Sequence, residues 1–267
     1  MMAKRRLKRV SKGAHSSAEC DSWLAVTQAV QACKKALGLA DGEEPWFRGS
    51  KEKSLRLEPS LMWRTRKANR EHELDDIEQD LFFEFQARAR ELHERGFSDW
   101  DFLFFMRHHE VPTRILDWTE SLGVAAYFAT LGASPSTAPC IWVLNPWRLN
   151  EKGRGVRDGI QPKYLYREWD YGELLIAPGA WPWTTPLAIY PLQIAERMRA
   201  QRSWFTIHGQ SKEPLDAQVP QVVARIDLTP NAVREARQFL ADAGLSEYQL
   251  FPDLDHLAME LTNRARL

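Results

Sequence analysis

Apolar positions along the chain change period several times, and each change predicts an element. Trp23, Leu24, Val26, Val30 and Leu37 fall on one helical stripe. Asp21 is placed to cap it and Gly38 to stop it. Pro45-Trp46-Phe47-Arg48-Gly49 reads as a short strand ending at a glycine turn. Leu74, Ile77, Leu81, Phe82, Phe85 and Leu92 keep helical spacing among charged residues, which predicts a long helix over 71–94. Ser98 caps a helix carrying Trp100, Leu103, Phe104 and Met106. Ser121 starts a small-residue helix through Val124, Ala125, Ala126 and Phe128, and Cys140-Ile141-Trp142-Val143-Leu144 is a continuous apolar run of buried-strand type.

Glycines and prolines interrupt every pattern over 150–185, a stretch too long for an inert connection, so a lid or an insertion is expected there. Strands follow at 203–207 and 221–227, then a helix over 231–243. A terminal helix begins near Pro252 and carries Leu254, Leu257 and Leu261. Helices and strands mix without regular βαβ alternation, so the expected class is α+β, with a central mixed, largely antiparallel sheet and flanking helices. The expected organisation is a basic tail over 1–18 and a single domain over 19–267.

Composition narrows the picture. The 267 residues can bury a core without staples. Lys+Arg 36 balance Asp+Glu 36, which argues against a whole-surface nucleic-acid binder and leaves room for a local basic groove. Three widely spaced cysteines form neither a disulfide framework nor a zinc site, so the cytoplasm is the expected compartment. No apolar run is long enough for a membrane span. The basic run Lys4, Arg5, Arg6, Lys8, Arg9 and Lys12 reads as a solvated terminus or as a contact with nucleic acid or an anionic membrane. The 11 tryptophans exceed ordinary use, and several are expected to line a pocket.

Four segments can carry chemistry. Arg48 can fork onto a phosphate or carboxylate, with Gly49 admitting a close neighbour; the plain alternative is an arginine stacked on Trp46. Residues 107–121 crowd His108, His109, Arg114, Asp117, Trp118, Thr119 and Ser121 between apolar helices. The structural reading of that crowd has Thr119 or Ser121 capping the next helix and Arg114 pairing with Asp117. Gln201 leads into a strand on which Thr206 and His208 share a face; a half-exposed edge strand is the plain reading. Glu247 and Asp253 sit at turns entering the last helix, Asp253 as its cap. No metal-ligand set, P-loop, dinucleotide fingerprint or nucleophile elbow occurs, and Cys140 reads as an inert core residue.

Together these segments resemble the FRG-domain family. Phe47-Arg48-Gly49 is similar to its name-giving motif, and His108 with Pro112-Thr113-Arg114-Ile115-Leu116-Asp117-Trp118-Thr119-Glu120-Ser121 to its central block, ending in Ala126-Tyr127-Phe128-Ala129. Gln201 with Phe205-Thr206 and then Leu250-Phe251-Pro252-Asp253-Leu254-Asp255 resemble its later elements. The chain departs from the pattern at Glu110, Ser203 and His256, where glycine is common. A looser resemblance is to the Arg–Ser–Glu layout of ADP-ribosyltransferases. It implies that Arg48 holds dinucleotide phosphates or ribose, that Thr119, Ser121 and Trp118 shape a nicotinamide pocket, and that an acid stabilises a ribosyl cation. Gln201 stands in place of the acid, with Glu247 as the candidate carboxylate.

Three readings follow. The first is an NAD-using ADP-ribosyltransferase or NAD-cleaving enzyme, of the bacterial toxin or phage-defence type, with catalytic Arg48, His108, Gln201 and Glu247. NAD would be its substrate and a protein or nucleic acid its acceptor. The second is a non-catalytic module in which Arg48, Arg114 and His108 hold a nucleotide or nucleic-acid phosphate. The third is metal-independent, nuclease-like hydrolysis with His108 and His208 as acid and base.

Overall fold

The computed structural model describes residues 15–89, 96–134, 137–161, 170–176, 181, 183–191 and 195–265. In chain order its elements are β1 (Ser16–Cys20), α1 (Trp23–Ala36), β2 (Trp46–Ser50), α2 (Ser60–Lys67), α3 (Leu74–Ala89), α4 (Asp99–His108), β3 (Ile115–Thr119), α5 (Leu122–Thr130), β4 (Cys140–Leu144) and α6 (Pro146–Arg154). There follow α7 (Tyr171–Ile176), β5 (Leu187–Ile189), α8 (Glu196–Ala200), β6 (Ser203–Ile207), α9 (Leu215–Gln218), β7 (Val223–Leu228), α10 (Pro230–Asp242), α11 (Glu247–Leu250) and α12 (Leu254–Ala265).

The strands form one seven-stranded sheet in the order β1-β7-β4-β2-β3-β6-β5. Only the β1–β7 pair is parallel; the other neighbours run antiparallel. The fold is therefore α+β with a mixed, largely antiparallel sheet, as the patterning predicts. Both faces are covered, which explains the unbroken apolar run of β4. Ile141 and Val143 pack with Phe47, Ala125, Ala224 and Ile226 under α1, α5 and α10. Cys140, Trp142 and Leu144 pack with Trp46, Trp118 and Val223 on the other face. A third cluster joins α3, α4 and α7 through Phe82, Trp100, Phe104 and Tyr171.

Local signals fix several boundaries. Ser98 and Asp101 form a complete capping box on α4, and Ser121 caps α5 by accepting the Val124 N–H. Asp253 accepts the His256 N–H and caps α12. Other boundaries move. Ser22, not Asp21, caps α1. Ser16–Cys20 is a strand, so the expected tail is shorter than 1–18; residues 1–14, with the whole basic run, lie outside the described residues. The helix expected over 71–94 opens as a single tight turn at Glu71–Glu73 before α3, and residues 90–95 lie outside the described residues. Strand β6 is interior, between β3 and β5, rather than a half-exposed edge. The described part of 150–185 packs into the core through Tyr171, Leu174, Trp181 and Trp183. Most described tryptophans also serve the core, against the expectation of a tryptophan-lined pocket; Trp46, Trp100, Trp118, Trp142, Trp181 and Trp183 are all buried. Among the described residues no helix is long and apolar enough to cross a membrane.

Candidate functional site

The sheet is weakest in its middle. Strand β2 pairs with β4 at five positions and β3 with β6 at five, whereas β2 and β3 share only Phe47↔Thr119. Beyond that position the two strands part. Arg48 spans the gap: its Nη1 donates to the backbone oxygen of Asp117 at 2.7 Å and lies 3.6 Å from the Asp117 carboxylate. Gly49 makes the splay possible from the other side. A Cβ there would collide with the backbone of Ala125 and Ala129, so only glycine lets β2 lie this close to α5. A cleft of about 520 Å³ opens at the split. Arg48, Arg107, Asp117, Thr119 and Gln201 line it together with the aromatic rings of Trp63, Phe104 and Phe128.

Asp117 is the carboxylate at the parting of the strands. Arg107, at the C-terminal end of α4, forks onto it with Nε at 3.1 Å and 3.0 Å from its two oxygens. Burial works against its charge, but Arg107 and then Arg48 hold its carboxyl below the usual carboxylate range. Burial and the neighbouring Arg107 pull the Arg48 guanidinium below its ordinary value, with Asp117 opposing them. His108 is pushed down to about 4 by partial burial, His109 and Arg197, so its imidazole is neutral at pH 7. Five cations line the cleft (Arg48, Lys51, Arg64, Arg107 and Arg197) against two carboxylates, Glu110 and Asp117. A chain of zero formal charge thus concentrates three uncompensated positive charges in one cavity. That arrangement favours an anionic ligand with an apolar, ring-bearing part.

Among the predicted site residues, Arg48, His108, Asp117, Trp118, Thr119 and Gln201 all reach this cleft. Two of them also brace it. The Thr119 hydroxyl donates to the Gln201 backbone oxygen at 2.8 Å and accepts the Ser121 N–H at 3.0 Å. The Gln201 amide donates to the Leu250 backbone oxygen at 3.1 Å, which commits one end of that side chain to structure.

The remaining predicted residues lie elsewhere. Ser121 is the cap of α5 and does not line the cleft. Arg114 does not pair with Asp117; it is fully buried, forks onto Glu78 and lies over the Trp181 ring at 3.7 Å. Thr206 and His208 are 0% exposed, and the Thr206 hydroxyl accepts the Trp118 indole N–H at 3.1 Å. Burial, Arg114 and Arg48 push His208 down to about 3. His108 faces the cleft and His208 is sealed in the core, so they do not form the acid–base pair of the nuclease-like reading. Glu247 lines a second cavity of about 630 Å³ with Tyr127, which borders the cleft at Leu131. Burial and Glu247 push the Tyr127 hydroxyl up to about 12. Glu247 is not among the residues that line the Arg48 cleft, so the carboxylate beside Arg48 is Asp117 and not Glu247. Arg48 is not stacked on Trp46 either, because Trp46 packs on Trp204 and Tyr190.

Arg107 opens the 107–121 block but was not assigned a site role, because nothing local shows that it turns to Asp117. Sequence reasoning passed over Arg197, which carries no local signal. Among the described residues no group of three or more His, Cys, Asp and Glu side chains is arranged to hold a metal ion.

Residues 43–137 match the family model of the FRG domain. That stretch is similar to the FRG domain. The matched stretch contains Arg48, Gly49, Arg107, Asp117 and Thr119, hence both strands that part and the helix that supplies Arg107. Gln201 and Arg197 come from outside it and line the same cleft. No curated protein and no solved structure matches the chain.

One departure from the FRG pattern has a visible consequence. Glu110 stands where glycine is common, and its backbone adopts φ 62°. This left-handed position suits glycine, and the glutamate occupies it at some conformational cost.

Proposed function

We propose that this FRG-domain protein is an NAD-using ADP-ribosyltransferase or NAD-cleaving enzyme of the toxin or defence type, with its site in the cleft between β2 and β3. The observation that carries the reading is the charge excess around Arg48 and Asp117 at the split of the sheet. Arg48 would fork onto a phosphate or ribose oxygen of the dinucleotide, with aromatic side chains beside its rings. In the reaction the bond between the nicotinamide nitrogen and the ribose carbon breaks. The electron pair leaves with nicotinamide, and the ribosyl cation is captured by water or an acceptor nucleophile, which loses its proton to solvent. Asp117, which the adjacent arginines keep ionised, is the carboxylate placed to face that developing charge, in the role first assigned to Glu247.

The second reading is a nucleotide-binding module without chemistry. It is favoured by the engagement of Asp117 with Arg107 and by Gln201 standing where an acid would serve. Purified protein incubated with nicotinamide-labelled and adenine-labelled NAD, with and without cell lysate, separates the two. Release of nicotinamide supports the enzyme, and transfer of adenine label identifies the acceptor. Saturable NAD binding with no release supports the module.

A further inference from the structure

Three guanidiniums approach Asp117, and it satisfies them unequally. Arg107 takes the fork, and Arg48 takes the backbone oxygen with a longer approach to the carboxylate. Arg197, on α8, takes neither. Its side chain is half-buried and lines the cleft, and among the described residues it makes no hydrogen bond and no ion pair. Asp117, Glu110 and Asp253 act on it only from beyond ion-pair distance, and burial together with Arg107 pulls it below its ordinary value. The Asp253 carboxylate is already engaged by His256, through the backbone N–H at 2.9 Å and the ring at 2.7 Å.

What does hold Arg197 is an aromatic ring. Its guanidinium carbon lies 4.5 Å from the centre of Phe251, which is itself stacked on His256 at 4.8 Å. Stacking fixes the position of a guanidinium and leaves its hydrogen-bond donors unspent. The closing block of the sequence therefore braces one end of the cleft twice: Phe251 positions Arg197, and the Leu250 carbonyl positions Gln201. A cation held rigidly, partly desolvated and without a carboxylate has the character of an anion site.

We propose that Arg197, held by Phe251, is a second phosphate-binding residue of the cleft, beyond Arg48, and that it makes the cleft selective for ligands bearing a diphosphate over uncharged nucleosides. The proposal deepens the reading of the cleft as an NAD site and rests on it for the identity of the natural ligand, but the anion subsite itself can be probed without turnover. A planar fork can span two phosphate oxygens, so the residue discriminates by charge and by geometry.

The test is calorimetric titration of the full chain with inorganic pyrophosphate, ADP-ribose and adenosine, using wild type, Arg197→Gln and Arg197→Lys, with melting temperatures recorded. Loss of charge-assisted hydrogen bonds should weaken pyrophosphate and ADP-ribose about ten- to hundredfold in Arg197→Gln, with a smaller loss in Arg197→Lys. Adenosine affinity should stay the same in all three proteins. Equal ADP-ribose affinity in wild type and Arg197→Gln would overturn the proposal. So would an equal loss for adenosine, which marks a structural role, or no binding of pyrophosphate to wild type. Should Arg197→Gln fail to fold, Arg197→Lys decides, since loss of ADP-ribose affinity at an unchanged melting temperature is the expected result and unchanged affinity the contrary one. Nicotinamide release measured in parallel separates this from the proposed reaction. Arg197-dependent pyrophosphate binding without NAD cleavage leaves the subsite and removes the reaction, and NAD cleavage with unchanged KM in Arg197→Gln does the reverse.

Discussion

Two arginine clusters lie on either side of β3, and they resemble each other in sequence far more than in structure. Around Arg114 the charges close on themselves. Arg114 is 1% exposed and Glu78 is 2% exposed; the two fork together, the Tyr171 hydroxyl donates to Glu78 at 2.7 Å, and Asp75 adds a second carboxylate at 3.3 Å. Around Asp117 the charges do not close. Arg107 and Arg48 share one carboxylate whose side chain keeps 36% of its surface open, and Arg197 lies nearby with no carboxylate in ion-pair contact. A guanidinium covered by carboxylates on α3 locks α3, α7 and β3 together and has nothing left to offer a ligand. A cluster in which guanidiniums outnumber carboxylates and stay open contributes little to folding and keeps its donors for binding. Whether carboxylates cover the guanidiniums, more than the presence of arginine, separates the scaffold from the site.

The largest effect should come from opening the closed cluster. Glu78→Ala leaves a buried guanidinium without its partner, which should cost about 3–5 kcal/mol of stability. Denaturant unfolding measures it, and a loss below about 1 kcal/mol would erase the contrast with the cleft. Next comes Gly49→Ala, which presses a methyl group against the backbone of α5 and forces β2 outward. Overpacking of this kind should cost roughly 1–3 kcal/mol or more. It should also deform the cleft, so ligand response should fall along with melting temperature; a variant with wild-type melting and binding would show that the close approach is dispensable.

Acid separates the regions in another way. His208 is sealed beside Arg114 with a folded-state value of about 3, below the ordinary 6.5 of histidine. Its contribution is therefore complete above about pH 6.5. As pH falls from there toward 3 the unfolded chain binds a proton that the folded chain refuses, at a cost on the order of 1 kcal/mol per pH unit. His108 adds to the same limb down to about pH 4. Unfolding free energies of His208→Leu between pH 7 and pH 4 should fall less steeply than those of wild type, and identical slopes would contradict the assignment. The smallest effect belongs to the rim: Glu110→Gly relieves a left-handed backbone and should leave stability unchanged or raise it by up to about 1 kcal/mol in thermal unfolding.

Much of this was legible in the sequence wherever the signal is local. The cap at Ser98, the small-residue face of α5, the buried run of β4 and the close approach that Gly49 admits all follow from spacing and residue type. Pairing across the fold was not legible. Arg107 and Arg114 lie on either side of the same short block, and nothing local shows that the first turns to Asp117 and the second to Glu78, 36 residues upstream. Glu247 was proposed from the order of motifs along the chain, and order cannot show that it lines a different cavity from Arg48. Arg197 gave no signal at all, because what defines it is the absence of a carboxylate and a ring 54 residues away in sequence.

The central claim is that the open cluster is a binding site for a phosphate-bearing ligand and that Arg48 holds it by its fork. Calorimetric titration of ADP-ribose into wild type and Arg48→Lys tests it most directly, with melting temperatures taken on the same samples. Wild type should bind, and Arg48→Lys should bind about ten- to over a hundredfold more weakly, because lysine lacks the planar donors, while the melting temperatures agree. Equal affinity in both proteins, or a lowered melting temperature with affinity intact, would contradict it and return Arg48 to the scaffold.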